Sequence, residues 1–264
     1  MEKFYEIEYE VLNVVINELN KVIQDLRDKE ELHEFNIILD DMLESIEVSI
    51  DAVKGLKINA GMTNLRNSFE LIVAYVAIIK NEKLRANYMD ITKNRNIRSF
   101  SDEITKIIER DIYEEVYKML CEFAHPTLLR NYFCENSKTE EGIKVNRNIG
   151  MFLLIIIIRE YVTYLSVAYD KEEDFTLDSL IFLFFGAFII SLRRANADKE
   201  LIKKYEILFG TKEQKEMLKA KQDELKNLIE ENKEEITRKL EEAMNTNSEL
   251  KMKLVQYVHE ENLQ

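Results

Sequence analysis

An arginine and a glutamate spaced four residues apart are the first side chains in this sequence that could do chemistry. They are Arg66 and Glu70, with Asn67 as a supporting neighbour. In a helix this spacing places the two side chains next to each other on one face. A buried arginine is costly unless it is paired, and Glu70 can pair with it. Two interpretations follow: the pair fixes how the helix packs, or Arg66 lies in a cleft and binds a phosphate through its planar guanidinium.

A second set of candidates follows in the segment before the only proline. Tyr117, Cys121 and His125 succeed each other at four-residue steps, so they share a helix face. Histidine is the side chain best suited to proton transfer near neutral pH, which makes His125 a candidate acid or base. The alternative is that His125 only caps or packs the end of its helix. Cys121 is a weaker candidate, since a cysteine on an apolar helix is usually an inert core residue.

A basic segment between these two motifs is the candidate nucleic-acid surface. It comprises Lys83, Arg85, Lys93, Arg95 and Arg98. Such a cluster could follow a phosphate backbone in a salt-dependent way, and Tyr88 or Phe100 could stack on unpaired bases. The alternative is a solvated loop.

The composition predicts which kind of fold must position these residues. The chain has 264 residues, of which 46% are hydrophobic but only 6 are glycine and 1 is proline. Hairpins and glycine-rich phosphate loops need those two residues, so a β-sandwich, a β-barrel and a Rossmann-type fold are disfavoured. The net charge of −13 means that nucleic acid could be bound only by a local basic patch. Three scattered histidines and two cysteines predict no metal site, and no cofactor is expected.

Apolar residues at helical spacing predict the elements of an all-α, multi-helix up-and-down bundle. The segment around residues 69–79 is apolar nearly all round, which predicts a central, buried helix. Gly55 and Gly61 predict a turn, and Pro126 predicts a helix break. The predicted helices cover residues 1–30, 31–56, 62–80, 101–124, 149–169, 177–192 and 212–244, with a short helix after residue 80 and a last one from Thr246.

The apolar segment at residues 149–192 raises the question of a membrane. Charged residues, Arg159 and Glu160 among them, interrupt it, and both of its arms are expected to be shorter than a membrane-spanning helix. A buried helical hairpin is the preferred interpretation, and a membrane-acting hairpin is the alternative. The acidic amino terminus lacks a signal-peptide profile, so a cytoplasmic protein without a membrane partner is expected.

The arginine–glutamate pair on one helix and the Tyr-x7-His-Pro pattern from Tyr117 to Pro126 resemble the HEPN family. These are helical domains of bacterial and archaeal toxins, abortive-infection proteins and other phage-defence effectors. The resemblance covers about residues 61–170. It implies a helical bundle that frequently dimerises and, in active members, cleaves RNA without a metal. It also implies that His125 acts as general acid or base, Arg66 stabilises the phosphate and Glu70 orients Arg66.

One departure from the family keeps three functions open. Active members carry a histidine four to six residues after the arginine on the same helix, whereas residues 70–72 here are Glu-Leu-Ile. The first expectation is a defence or toxin-type effector that cleaves or binds RNA. The second is a non-catalytic sensor or scaffold that self-associates or binds a partner protein, and the third is a membrane-acting effector. A bundle over residues 1–197 and a charged helical extension over 198–264 complete the prediction, with a homodimer expected.

Overall fold

A computed structural model describes residues 2–89, 110–125, 128–169, 175–194 and 245–262. These residues form α-helices and one 3₁₀ helix, and no strand occurs among them, which confirms the all-α prediction. The helices are α1 (Glu2–Arg27), a 3₁₀ helix (Glu30–Phe35), α2 (Asn36–Lys54), α3 (Ile58–Lys80), α4 (Glu82–Met89), α5 (Arg110–Ala124), α6 (Leu128–Asn136), α7 (Glu140–Ala168), α8 (Phe175–Arg194) and α9 (Ser248–Asn262).

The chain divides into two compact units. The larger unit is Leu12–Glu173, and the smaller one combines Met1–Val11 with Asp174–Gln264. The predicted domain boundary at residues 197 and 198 lies outside the described residues, as does the predicted helix at 212–244.

Helix α3 is the centre of the larger unit. It packs against α2, α5 and α7, and most of its side chains are buried, including Phe69, Ile72 and Val76. The prediction of a central helix with almost no polar face is therefore confirmed. The predicted break at Pro126 is also confirmed, because α5 ends at Ala124 and α6 begins at Leu128. Helix α3 carries Arg66 and Glu70, and α5 carries Tyr117.

The turn between α2 and α3 differs from its prediction. Gly61 does not close the turn but lies inside α3, which begins at Ile58. The left-handed backbone conformation falls on Leu56, whose φ is 62°. Gly61 serves close packing instead: a Cβ there would come within 2.7 Å of Val53 Cγ2 and 3.0 Å of the Ser49 carbonyl oxygen. The glycine therefore lets α2 and α3 approach each other.

Two predicted helix starts are also corrected. The segment after residue 30 begins as a 3₁₀ helix rather than as part of α2, and this tighter winding buries Leu32 and Phe35, three residues apart. Helix α7 begins at Glu140 rather than at residue 149, because the Thr139 side chain caps it by accepting a hydrogen bond from the Gly142 N–H at 3.0 Å.

The earlier start of α7 changes the membrane comparison. With 29 residues and a mean hydropathy of 1.8 in its most apolar window, α7 is one helix whose length and composition would suffice to cross a membrane. The expectation that this arm is too short is therefore wrong. However, 72% of that window is buried inside the protein, as in the core helix of a water-soluble domain. The second arm, α8, belongs to the smaller unit, so the two arms have different packing partners.

The smaller unit is built on aromatic and charged contacts. Phe4, from the first turns of α1, stacks on Phe184 of α8 with ring centroids 6.0 Å apart and meets Tyr257 of α9 at 5.3 Å. Lys253 pairs with Glu10 at 2.9 Å. Helix α9 confirms the predicted last helix, although it begins at Ser248.

Candidate functional site

Arg66 and Glu70 lie side by side on α3, as their spacing predicts. Arg66 Nη2 donates a hydrogen bond of 2.8 Å to Glu70 Oε1. Each side chain is 25% exposed, so the ion pair is neither fully solvated nor sealed in the core. Both the packing interpretation and the binding interpretation need this pair, and the geometry is compatible with each.

Tyr117 brings α5 to the same place. Arg66 Nη2 also donates to the Tyr117 hydroxyl at 3.4 Å, and that hydroxyl donates to Glu70 Oε1 at 3.5 Å. The guanidinium carbon lies 5.6 Å from the centroid of the Tyr117 ring, within the range of a cation–π contact. We call these three residues the Arg66 cluster.

A buried layer directly beneath holds the Arg66 cluster in place. The Phe69 ring lies 6.1 Å from the Tyr117 ring and 6.1 Å from the Tyr161 ring of α7. The Tyr161 hydroxyl donates to the Leu65 carbonyl at 2.8 Å and lies 2.9 Å from Ser68 Oγ. Helices α3, α5 and α7 are thus tied together by apolar packing and by a satisfied buried hydrogen-bond network.

The electrostatics of the cluster favour a permanent positive charge on Arg66. Partial burial by itself lowers the pKa of the guanidinium, but the hydrogen bond with Tyr117 and the Glu70 charge outweigh it and raise the pKa. For Tyr117, partial burial raises the pKa of the hydroxyl despite the opposing hydrogen bond from Arg66. The tyrosine therefore stays protonated at neutral pH and acts as a hydrogen-bonding group.

The unused donors of Arg66 decide what the cluster can bind. Both hydrogen bonds of the guanidinium to described residues come from Nη2. Among the described residues, the buried Nε has no hydrogen-bond partner. An arginine held from one side with donors left over is suited to a phosphate oxygen, because its fork matches that geometry.

The structure places His125 at some distance along α5 from the Arg66 cluster. It follows Tyr117 by eight residues, which is about 12 Å of helix rise. His125 is exposed, and its backbone N–H closes the last turn onto the Cys121 carbonyl at 3.1 Å. Cys121, between the two, is half-buried. No hydrogen bond between described residues joins His125 to Arg66, so the two groups that RNA cleavage requires are not in direct contact.

The other predicted site residues are scattered. Asn67 is exposed and makes no contact with the cluster among the described hydrogen bonds, and Lys83 is exposed on α4. Arg85 folds back and donates to the carbonyls of Ile78 and Ile79 at 3.2 and 3.0 Å, which caps the end of α3. The remaining basic residues lie outside the described residues, as does the Phe100 ring; they are Lys93, Arg95 and Arg98.

A cavity at the start of α3 was not predicted. It has a volume of about 520 Å³, and its walls come from the α2–α3 turn, α3, α6 and the early part of α7. Sequence analysis treated Lys57 and Asn59 as turn residues, and only the absence of acidic residues near them could have drawn attention to this place.

The described part of the chain contains no group of three histidine, cysteine, aspartate or glutamate side chains placed to hold a metal ion. Comparison of the sequence and the fold with protein-family models, with curated proteins and with solved structures finds no match.

Proposed function

We propose that this protein is an all-α effector of the phage-defence or toxin type that binds RNA through the Arg66 cluster. The defence role comes from the resemblance of residues 61–170 to HEPN domains. The RNA contact is supported by one observation above all: Arg66 is anchored through Nη2 by Glu70 and Tyr117, while its remaining donors and a quarter of its side chain stay available.

The proposed contact is a phosphate of the RNA backbone. A guanidinium that is already oriented loses less side-chain freedom when it binds, so the contact is stronger than one made by a mobile surface lysine. A single phosphate contact carries no sequence information, and its strength falls as salt increases. The cluster therefore accounts for affinity, and any sequence preference must come from other groups.

Cleavage would need a second step at His125. The histidine would take the proton of a 2′-hydroxyl, whose oxygen attacks the adjacent phosphorus, while a proton returns to the departing 5′-oxygen. The distance of about 12 Å along α5 between Tyr117 and His125 argues for binding over cleavage at a single phosphate. Binding is thus the proposal, and cleavage is the outcome that the His125 variant tests.

Glu70→Gln separates charge from orientation at the proposed site. Glutamine keeps an oxygen that accepts the 2.8 Å hydrogen bond from Arg66, but it removes a negative charge next to the phosphate. A carboxylate roughly 6 Å from a phosphate costs about 0.7 kcal/mol at the dielectric constant of water. We therefore expect Glu70→Gln to bind single-stranded RNA about threefold more tightly, and Arg66→Gln to bind about tenfold more weakly with a smaller salt dependence.

The measurement is fluorescence anisotropy with a labelled single-stranded RNA over a salt series. Glu44→Gln is the matched control, because it removes one exposed carboxylate from α2 and leaves the cluster untouched. Equal affinities for the wild type, Arg66→Gln and Glu70→Gln would refute the proposal and favour a helical scaffold in which the pair only fixes packing. Unchanged circular dichroism melting curves show that the variants are folded.

His125→Ala addresses cleavage separately. If the protein cleaves RNA or arrests bacterial growth, loss of both effects in this variant with unchanged RNA affinity assigns His125 to catalysis. RNA that stays intact with the wild type during prolonged incubation shows that binding is the whole activity.

A further inference from the structure

We infer that the larger unit binds a nucleoside monophosphate in the cavity at the start of α3, which we call the α3 cavity. With a volume of about 520 Å³, it falls within the size range of small-molecule sites in proteins. It shares no lining residue with the Arg66 cluster, so this inference stands or falls independently of RNA binding.

The charge of the α3 cavity indicates an anionic ligand. Its charged lining residues are Lys57 and Arg130, and no carboxylate is among the lining residues described, although the whole chain has a net charge of −13. Arg130 is held in place by donating from Nη1 to the Ala124 carbonyl at 3.3 Å. Two cations without a neutralising acid form a local positive field that attracts phosphate.

The start of α3 adds to this field. Lys57 precedes the first turn, and no side chain caps that end of the helix. The first turn also contains no acidic residue. The uncapped N–H groups of a 23-residue helix point toward this end, and with the helix dipole they favour an anion.

A buried amide in the wall of the cavity indicates the rest of the ligand. Asn146 is 3% exposed, and its Nδ2 donates to the Phe133 carbonyl at 2.7 Å and to Ser137 Oγ at 3.0 Å. Its Oδ1 has no hydrogen-bond partner among the described residues, and the same is true of Asn59 Oδ1. Buried acceptors are nearly always satisfied, so a ligand with N–H donors fits this wall.

Apolar side chains complete the lining. Leu56, Ile58 and Phe133 present hydrocarbon surface between the two amides and the cations. A ligand that combines one phosphate, a flat ring and N–H donors matches these three features together. A nucleoside monophosphate has all of them, whereas inorganic phosphate lacks the ring and the donors, and a free nucleoside lacks the anion.

The test is isothermal titration calorimetry of the full chain with AMP, GMP, CMP and UMP, and with inorganic phosphate and adenosine for comparison. We expect at least one nucleotide to bind at least tenfold more tightly than phosphate or adenosine. Lys57→Gln should weaken that binding about tenfold. Lys21→Gln, which removes an exposed lysine of α1 away from the cavity, should leave it unchanged.

Ala60→Phe tests the place rather than the charge. Ala60 is exposed and lines the cavity, so a larger side chain there should block the site without disturbing the core, which a melting curve checks. Absence of binding for all four nucleotides at millimolar concentration would overturn the inference. Binding that survives both Lys57→Gln and Ala60→Phe would also overturn it, as would equal affinity for inorganic phosphate.

The two cysteines offer an independent readout. Cys134 is exposed in the wall of the cavity, whereas Cys121 is half-buried and does not line it. A bound nucleotide should slow alkylation of Cys134 by iodoacetamide several-fold, as followed by peptide mass spectrometry, and leave the rate at Cys121 unchanged. An unaltered rate at Cys134 under saturating nucleotide would contradict the assigned place.

Discussion

Gly61→Ala tests the close approach of α2 and α3, on which the position of Arg66 and one wall of the α3 cavity depend. An added Cβ would lie 2.7 Å from Val53 Cγ2, 3.0 Å from the Ser49 carbonyl oxygen and 3.4 Å from the Val53 nitrogen. Ordinary contacts are wider than the first two distances. Val53 is fully buried and β-branched, so its side chain cannot rotate away easily, and the Ser49 oxygen belongs to the backbone of α2.

The magnitude follows from two opposing effects. Alanine inside a helix is favoured over glycine by about 0.5–1 kcal/mol. Overpacking a rigid interface costs typically 1–3 kcal/mol, and here backbone must move as well as side chain. We therefore expect Gly61→Ala to lower the free energy of unfolding by about 1–2 kcal/mol. For a chain of this size that corresponds to a melting temperature lower by roughly 2–8 °C.

Thermal unfolding followed by circular dichroism at 222 nm measures the difference. Gly186→Ala is the matched control, because no atom lies within 4 Å of the added Cβ and only the gain in helix propensity, about 0.5–1 kcal/mol, remains. The two substitutions should thus have opposite signs. A Gly61→Ala variant as stable as the wild type would show that α2 and α3 do not pack as closely as described.

Two further predictions concern α7 and its contacts. Thr139→Ala removes the side chain that accepts from the Gly142 N–H and should destabilise the larger unit by about 1 kcal/mol in urea unfolding, with Thr139→Ser restoring most of it; equal stability of all three proteins would exclude a capping role. Burial raises the pKa of Tyr161 well above its usual value, so its ionisation favours the unfolded chain, and stability should fall above about pH 10 by up to 1.4 kcal/mol per pH unit for this residue. Tyr161→Phe should cost about 1 kcal/mol at neutral pH but flatten that alkaline decline, and an unchanged slope would contradict the assignment.

Local pattern was sufficient for much of the fold. The scarcity of glycine and proline excluded sheets, the spacing of apolar residues predicted most helices, and Pro126 predicted the break between α5 and α6. The Arg66–Glu70 pair was equally predictable, because both residues belong to one helix and their four-residue spacing alone determines that they are neighbours.

Helix starts were predicted less well, since they depend on single hydrogen bonds and close contacts. The Thr139 cap extends α7 by about nine residues beyond its apolar stretch, and an apolar pattern cannot show a polar first turn. Gly61 was assigned to a turn because glycine is common there, whereas the structure uses it for the contact between α2 and α3. Both errors come from interactions that are invisible to periodicity.

By itself the sequence determined that this protein is helical, that its central helix is buried, and that an arginine on that helix has a glutamate beside it. Only the tertiary structure decided that Tyr117, 51 residues away, completes the cluster while His125 lies two turns further along α5. It also decided that Lys57 and Arg130 face one cavity. The physical reason is that contacts within a helix follow from its 3.6-residue repeat, whereas contacts between helices depend on how whole side-chain surfaces pack together.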